Sequence, residues 1–149
     1  MKLIIALVAV LLVATIVVLA ALSATPAITM EAPVKAVGAS TPVKVEVTGP
    51  YGLRRFTAAL EQNGARYIVY EHRNPARRLL FVRLREAPHS IIFPAGKQQA
   101  PALRPGKATL VVEAQSNDFL ARTTSASFDL NVVLEPPRLA PIARNRKRY

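Results

Sequence analysis

The chain of 149 residues contains no cysteine and no tryptophan, and it has only two histidines. Without cysteine, disulfide bonds and thiolate zinc sites are excluded, so an apolar core has to hold any folded part together. His72 and His89 belong to no His-x-His or His-Glu-x-x-His spacing, and the sequence has no glycine-rich phosphate loop. It therefore predicts no catalytic residue, no cofactor and no metal, with both histidines on a solvated surface.

Two short polar groupings remain as candidates for chemistry. Ser90 follows His89, but neighbours in sequence do not place a nucleophile against its base. Asp118 follows Asn117. Their oxygens are of the kind that calcium takes as ligands, but no ladder of further oxygen ligands surrounds them. A turn is the favoured interpretation of this pair.

Acidic residues are scarce, since 9 Asp and Glu stand against 20 Lys and Arg and the formal net charge is +11. Residues 31–137 contain 14 basic and 9 acidic residues, while residues 138–149 add five basic residues and no acidic one. This surplus of positive charge favours partners that carry negative charge, such as anionic lipid, cell-wall polymer or acidic protein faces.

What the sequence does contain is one unbroken apolar run from Leu3 to Leu22 with no charged residue in it. About 20 apolar residues is the length that a helix needs to cross the hydrocarbon of a bilayer, and a helix satisfies its own backbone hydrogen bonds there. The terminal amine and Lys2 precede the run, so we expect a cytoplasmic N-terminus and an extracytoplasmic, periplasmic domain. Nucleic acid is not an expected partner in that compartment.

A cleaved signal peptide and a buried core helix are the alternatives to a retained single-pass anchor. Signal peptides have a shorter apolar core, of roughly 7–15 residues, followed by a small-x-small site. Sites of that kind end at Ser23 and at Ala27, and cleavage at either would make the protein secreted. A helix that is apolar on all sides suits lipid better than the small core of a soluble domain.

Beyond a predicted linker at residues 24–33, apolar and polar residues alternate with a period of two, which is typical of half-buried strands. Alternating or strand-rich stretches occupy residues 43–48, 56–62, 65–71, 80–85, 108–114 and 128–134. Residues 87–105 contain four prolines, which predicts a loop with at most a short edge strand over Ile91–Phe93.

The dipeptide Asn63-Gly64 gives the clearest local prediction in the sequence. It lies between two strand-like stretches, 56–62 and 65–71. Both central residues of a type I′ turn need a positive φ, and Asn-Gly adopts that conformation most readily. These residues therefore predict a β-hairpin.

Together these features predict an all-β fold, an immunoglobulin-like β-sandwich of about seven strands preceded by one N-terminal transmembrane or signal-anchor helix. A small barrel is the alternative for the β part. The expected domains are residues 1–23 for the anchor, 24–33 for the linker, 34–136 for the sandwich, and 137–149 for a basic tail or inter-domain connector. The predicted core consists of Val45, Phe56, Leu60, Val82, Leu110, Val112, Phe128 and Leu130.

One stretch of thirteen residues is crowded with arginine, namely Arg73, Arg77, Arg78, Arg83 and Arg85. On one interpretation these residues form a solvated strand face and loop, whose charges discourage edge-to-edge aggregation. On the other they bind an anionic polymer or lipid headgroups, since guanidinium presents a bidentate fork to phosphate and carboxylate. Both interpretations stay open at the level of the sequence.

Behind the anchor and linker, three stretches resemble the membrane-proximal part of bacterial envelope zinc metallopeptidases of the lysostaphin, peptidoglycan-endopeptidase type. They are GLRR at residues 52–55, ALEQNG at 59–64 and RPGKATLVVEA at 104–114. The resemblance implies an anchor and an immunoglobulin-like module that precede a peptidase domain. That family holds zinc with a His, an Asp and a His-x-His pair, which this chain lacks. No catalytic residue is therefore carried over.

The resulting hypothesis is a non-catalytic, membrane-anchored envelope module that positions a downstream or partner peptidoglycan-hydrolase domain. The alternative is a stand-alone extracytoplasmic binding protein that grips anionic cell-wall polymer or lipid through its arginine-rich face. Both make the lipid bilayer a partner through residues 3–22. An enzyme with a site scattered through the fold is the third hypothesis.

Overall fold

A computed structural model describes residues 1–77 and 86–134. These ranges contain one helix and eight strands: α1 (Lys2–Leu22), β1 (Ala27–Thr29), β2 (Ala36–Val37), β3 (Thr41–Thr48), β4 (Leu53–Gln62), β5 (Ala65–Arg73), β6 (His89–Ala95), β7 (Gly106–Ser116) and β8 (Thr123–Val132). The described chain is thus mostly β, with one apolar helix at its N-terminus. The strand predicted over 80–85 and the tail predicted over 137–149 lie outside the described residues.

Helix α1 follows from a run of apolar residues that contains neither glycine nor proline. Its side chains are exposed along nearly the whole length, and within the helix only Leu19 is buried. The helix is long enough and apolar enough to cross a membrane, although a signal sequence meets the same criteria. Apolar surface on every side of an isolated helix is what lipid accommodates and water does not.

The strands form two sheets, one of which is curled into a half-barrel. The smaller sheet has the order β1-β3-β6 and the larger sheet the order β2-β8-β7-β4-β5. The pairing is antiparallel throughout these sheets except between β2 and β8, which are parallel. The predicted β class is therefore confirmed.

The strand registers give the β domain two ends. We call the end at which α1 joins the helix-proximal end; it comprises residues 23–26, 49–52, 74–77, 86–88 and 117–122. The opposite end, the far end, comprises residues 38–40, 63–64, 96–105 and 133–134. Strand β8 begins at the helix-proximal end, where Thr123 faces Gln115, and finishes at the far end, where Val132 faces Gly106.

The predicted hairpin at Asn63-Gly64 is confirmed. Asn63 has φ 50° and Gly64 has φ 78°, the two positive values that a type I′ turn requires. The turn joins β4 to β5 with Gln62 directly opposite Ala65.

Side chains from both sheets meet in one apolar core. Phe56 of β4, Tyr70 of β5 and Phe93 of β6 form an aromatic cluster, with ring centroids 5.5–6.0 Å apart. Because Phe93 belongs to the smaller sheet and the other two rings to the larger one, this cluster joins the two sheets. Contacts at this spacing add roughly 0.5–1.5 kcal/mol per pair beyond the burial of area.

Most of the predicted core is where the alternation placed it. Six of the eight predicted residues are buried: Val45, Phe56, Leu60, Leu110, Val112 and Leu130. Phe128 is partly buried and packs against the same cluster. Val82 lies outside the described residues.

The main departure from the predicted strands is β6. Residues 87–105 were expected to hold at most a short edge strand, yet β6 covers His89–Ala95 and pairs with β3 over seven residues. The proline that argued against a strand, Pro94, lies directly opposite Pro42. A facing pair of prolines fits the non-hydrogen-bonded position of an antiparallel ladder, where neither amide is needed.

Two smaller differences concern strand ends. Strand β8 begins five residues before the predicted 128, because Thr124 and Ala126 continue the half-buried alternation toward its N-terminus. Within the predicted linker, residues 27–29 form β1 and pair with β3. Pro26 just before them is buried, so the chain leaving α1 already lies against the domain.

Candidate functional site

Hydrogen bonds attach the segment directly after α1 to the β domain; we call this attachment the joint. The Ser23 hydroxyl donates to the Leu19 carbonyl oxygen (3.0 Å) and accepts from the amide of Leu120 (3.2 Å). The Ala24 amide donates to Oδ2 of Asp118 (2.9 Å). The first two residues after the helix are therefore bonded to the loop between β7 and β8.

Asp118 is the centre of that loop. Its carboxylate accepts from the Ala24 amide, from the Ser116 hydroxyl and from the Ala121 amide, the last at 2.9 Å. The side chain is only 8% exposed, and a buried carboxylate is tolerated when donors surround it. The turn interpretation of this position is supported, and the acceptor sites point at the protein's own donors.

The neighbouring Asn117 ties together three loops of the helix-proximal end. Its amide donates to the Gly52 carbonyl oxygen (3.0 Å), its Nδ2 donates to the Pro75 carbonyl oxygen (3.0 Å), and its Oδ1 accepts from the Arg77 amide (2.9 Å). The turn before β4, the segment after β5 and the loop that receives α1 are thus held as one unit.

Two of the five predicted arginines lie in the described part of the chain: Arg77 at the helix-proximal end and Arg73 directly before it, at the end of β5. Arg73 is the last residue of β5, and Arg77 is bonded through its backbone to Asn117. Arg78, Arg83 and Arg85 lie outside the described residues. The topology thus brings the described part of the arginine-rich stretch close to the point where α1 enters the domain.

Two further arginines, not singled out by the sequence, complete a basic cavity there. We call it the arginine cavity; its lining residues are Arg54, Arg55, Arg73, Asn74, Ala76 and Gln115. Arg55 of β4 lies directly opposite Arg73 of β5 on one side and opposite Gln115 of β7 on the other. In the sequence, the pair Arg54-Arg55 looks like an ordinary polar start of a strand. Its significance depends on the pairing of β4 with β5, which brings Arg73 opposite Arg55.

One carboxylate partly neutralises the cavity. Oε1 of Glu71 accepts from Nε of Arg73 (2.7 Å) and from Nε of Arg55 (3.0 Å). The hydrogen bond from Arg73, followed by that from Arg55, lowers the pKa of the Glu71 carboxyl below its ordinary value. Three guanidinium groups and one carboxylate leave the cavity with a net positive charge.

The two histidines, which no sequence motif links, line one cavity between the sheets. His72 contacts Oδ1 of Asn74 through Nε2 (3.1 Å), and His89 contacts Oε2 of Glu86 through Nε2 (2.9 Å). Across residues 1–77 and 86–134, no group of three or more His, Cys, Asp or Glu side chains is placed to hold a metal ion. Each histidine is thus occupied with one polar neighbour.

No family model, no curated protein and no solved structure matches this chain. The resemblance to lysostaphin-type peptidases therefore stays a prediction from the quoted stretches alone.

Proposed function

We propose that this chain is a membrane-tethered spacer module that holds whatever it carries at a fixed height above the bilayer. Helix α1 supplies the anchor, and the β domain supplies the rigid distance. The N-terminus is cytoplasmic and the domain extracytoplasmic, as the charges around α1 favour.

The observation that carries the proposal is that chain entry and chain exit lie at opposite ends of the domain. Ala24 is bonded to Asp118 at the helix-proximal end. The last strand, β8, leads from that end to the far end over ten residues. At a rise of about 3.3 Å per residue, the chain after β8 starts about 30 Å from the anchor.

A spacer also needs a stiff joint, and the bonds of Ser23 and Ala24 to the loop 118–120 supply one. A flexible linker of the predicted length, residues 24–33, would let the domain tumble freely. Here the backbone is bonded to the domain two residues after α1 ends, so the domain and the helix move together.

The strand order supports the finer proposal of an immunoglobulin-like sandwich. In that fold strands A, B and E share one sheet, while G, F, C and C′ share the other. Assigning β1, β3 and β6 to the first set and β8, β7, β4 and β5 to the second reproduces both orders. An experimental structure of the domain tests this assignment. It should again pair β6 with β3 in one sheet and β5 with β4 in the other.

The proposed cargo is a peptidoglycan-hydrolase domain, either downstream or on a partner, as the quoted resemblance implies. A photo-crosslinking residue at Lys97, at the far end, is expected to capture such a hydrolase in cells, whereas one at Arg122, at the helix-proximal end, is not. Equal capture from both positions contradicts the spacer geometry, and the absence of any hydrolase contradicts the cargo.

The orientation is tested with single-cysteine variants, which are clean because the chain has no cysteine of its own. In spheroplasts that produce the full chain, a membrane-impermeant maleimide is expected to label Lys107→Cys, and to label a cysteine inserted between Met1 and Lys2 only after detergent is added. The insertion keeps Lys2, whose charge favours the orientation. Labelling of the inserted cysteine alone in intact spheroplasts would reverse the orientation.

Retention of the anchor is tested on the same cells. The full-length chain is expected to stay in the membrane fraction after a carbonate wash, because α1 is retained. The tether is contradicted if the chain instead starts after Ser23 or Ala27 and the carbonate wash releases it from the membrane.

A further inference from the structure

We propose that the arginine cavity binds the phosphate group of an anionic phospholipid headgroup and so fixes the domain's tilt on the bilayer. The inference rests on the proposed function, because only a membrane-tethered domain meets headgroups at this end. It assigns a ligand to Arg54, Arg55 and Arg73, which otherwise stand as surface charges.

The backbone is shaped to put two consecutive arginines at one cavity. Successive side chains of a regular strand point to opposite faces, so Arg54 and Arg55 would normally diverge. The pairing of β4 with β7 shifts register between Leu53 and Arg55, leaving Arg54 as an extra residue. Such a bulge re-aims side chains and is common beside functional sites, and both arginines do line the cavity.

The cavity contains more positive charge than the protein itself neutralises. Arg55 and Arg73 lie directly opposite each other on neighbouring strands, and like charges in that position destabilise a sheet. Glu71 bonds both of them, but Arg54 has no ion-pair partner within the described residues. The cavity therefore keeps two uncompensated positive charges, which a phosphate group neutralises.

The donor chemistry and the size suit a phosphate. Each guanidinium carries five N–H donors, and Glu71 takes only part of those on Arg55 and Arg73. Guanidinium binds phosphate bidentately, with charge-assisted hydrogen bonds. The cavity volume of about 230 Å³ is below the roughly 300–1,000 Å³ of clefts for larger ligands, so it takes a headgroup fragment.

The position of the arginine cavity, close to the end of α1, favours a lipid headgroup over a wall polymer farther from the membrane. Gln115 lines the cavity and precedes Asp118, the residue that bonds the chain leaving α1, by three positions. Three residues span at most about 11 Å, and the headgroup layer begins where the hydrocarbon ends. The exposed Leu120 on the same loop, 41% exposed, offers an apolar contact at that boundary.

The test uses the full chain in dodecyl maltoside micelles, with the backbone amide resonances of Asn74 and Gln115 as probes, because both residues line the cavity and are kept in every variant. Four ligands are titrated separately: dihexanoyl phosphatidylglycerol, dihexanoyl phosphatidylcholine, inorganic phosphate and poly(glycerol phosphate). We expect saturating shifts with phosphatidylglycerol at concentrations where the other three leave both resonances in place. Equal shifts with phosphatidylcholine, or tighter binding of the soluble polymer or of inorganic phosphate, would overturn the lipid assignment.

The variants isolate the site. Each basic residue near an anionic surface contributes about 1 kcal/mol, equal to about fivefold in affinity, so Arg55→Gln with Arg73→Gln should weaken phosphatidylglycerol binding about 25-fold. Arg54→Gln alone should weaken phosphatidylglycerol binding about fivefold. This variant removes no ion pair among the described residues, so it still tests the site if the double variant fails to fold. The matched control is Arg66→Gln on β5, the strand that carries Arg73, and it should leave the affinity unchanged. The guanidinium of Arg66 already pairs with Glu113 (2.8 Å) and Glu61 (3.8 Å).

Wild-type affinity in both the double variant and Arg54→Gln overturns the site. That result is separate from failure of the tether, which is read from carbonate extraction and thiol labelling. A chain that stays anchored but does not distinguish phosphatidylglycerol from phosphatidylcholine contradicts only the headgroup site.

Discussion

At the scale of single residues, Asn117 and Asp118 in the loop after β7 have side chains of similar shape but make different hydrogen bonds. Asn117 bonds the loops on either side of it, and Asp118 bonds the chain that leaves the helix. The amide of Asn117 can donate and accept at once, which joining two loops needs. The carboxylate of Asp118 only accepts, which suits three converging donors.

Asp118→Asn is expected to weaken the joint. The variant replaces one acceptor oxygen by an NH2 group that faces an amide donor, and a buried polar group left unsatisfied costs about 1–3 kcal/mol. In the full chain in nanodiscs, we expect a lower unfolding temperature and faster hydrogen exchange at Ala24. Asp129→Asn is the control, because Asp129 is exposed and accepts one long bond from Thr109 (3.3 Å). Unchanged exchange at Ala24 would show that Asp118 does not hold the joint.

Glu71 predicts how the arginine cavity responds to acid. Because its pKa is lowered in the folded chain by Arg73 first and Arg55 second, the ionised carboxylate stabilises the fold above the unfolded pKa of about 4.3. That contribution is lost as the pH falls through the folded pKa. Unfolding temperatures measured from pH 7 to pH 2.5 should therefore show a smaller acid loss in Glu71→Gln. Identical acid limbs for the two proteins would contradict the pairing.

At the scale of elements, the hairpin and β6 show what local sequence can and cannot determine. The turn at Asn63-Gly64 depends on backbone conformations that these two residues favour by themselves. Strand β6 depends on β3. Its own sequence, with one proline and adjacent apolar residues, gives no periodic signal, and Pro94 is accommodated because it faces Pro42. A turn is therefore predictable from its own residues, and a strand of this composition is not.

The hairpin gives a clean test of backbone strain. Gly64 has φ +78°, and an added Cβ would meet no neighbour. Gly64→Ala should therefore lower the free energy of unfolding only by the cost of the left-handed conformation, about 1–2 kcal/mol. Gly49→Ala is the matched control, because its added carbon meets ordinary contacts at 3.6 Å or more and its φ is not positive. Chemical unfolding of both variants should show the larger loss in Gly64→Ala, and equal losses would argue against the type I′ turn.

The aromatic cluster between the sheets predicts a much larger effect. Phe93 is 1% exposed and contacts the rings of Phe56 and Tyr70. Truncating a buried Phe to Ala costs about 3–5 kcal/mol, so Phe93→Ala should lower the free energy of unfolding by that amount. Ile92→Ala on the same strand is the control, since Ile92 is 65% exposed and should change stability by less than about 0.5 kcal/mol. Similar losses for the two would contradict the placement of β6.

The candidate site was predictable from the sequence only in part. Alternation indicated β4, β5 and β7, and the arginine-rich stretch after β5 was visible directly. The bulge that turns Arg54 toward Arg55, and the register that sets Arg55 opposite Arg73, depend on pairing between strands distant in sequence. Likewise, nothing near Asp118 in sequence shows that its partner is Ala24, 94 residues away.

At the scale of the whole molecule, the chain combines an apolar helix with a β domain that receives it at one end and releases the chain at the other. The bonds of Ser23 and Ala24 attach the residues directly after the helix to the loop between β7 and β8. The arginine cavity lies close to the helix-proximal end, and the turn of the hairpin lies at the far end. Two distinct ends of this kind are what a spacer with a defined height needs.

The depth of two labels in a bilayer tests this arrangement most directly. The full chain carries bimane on Leu120→Cys or on Lys107→Cys in nanodiscs that contain headgroup-spin-labelled lipid, with Ala21→Cys as the reference for a residue at the membrane. Strand β7 separates Lys107 from Ser116 by nine residues, about 30 Å. Strong quenching at positions 120 and 21, with none at position 107, is the predicted result. Equal quenching at 120 and 107, or none at 120, would contradict a domain held upright against the bilayer.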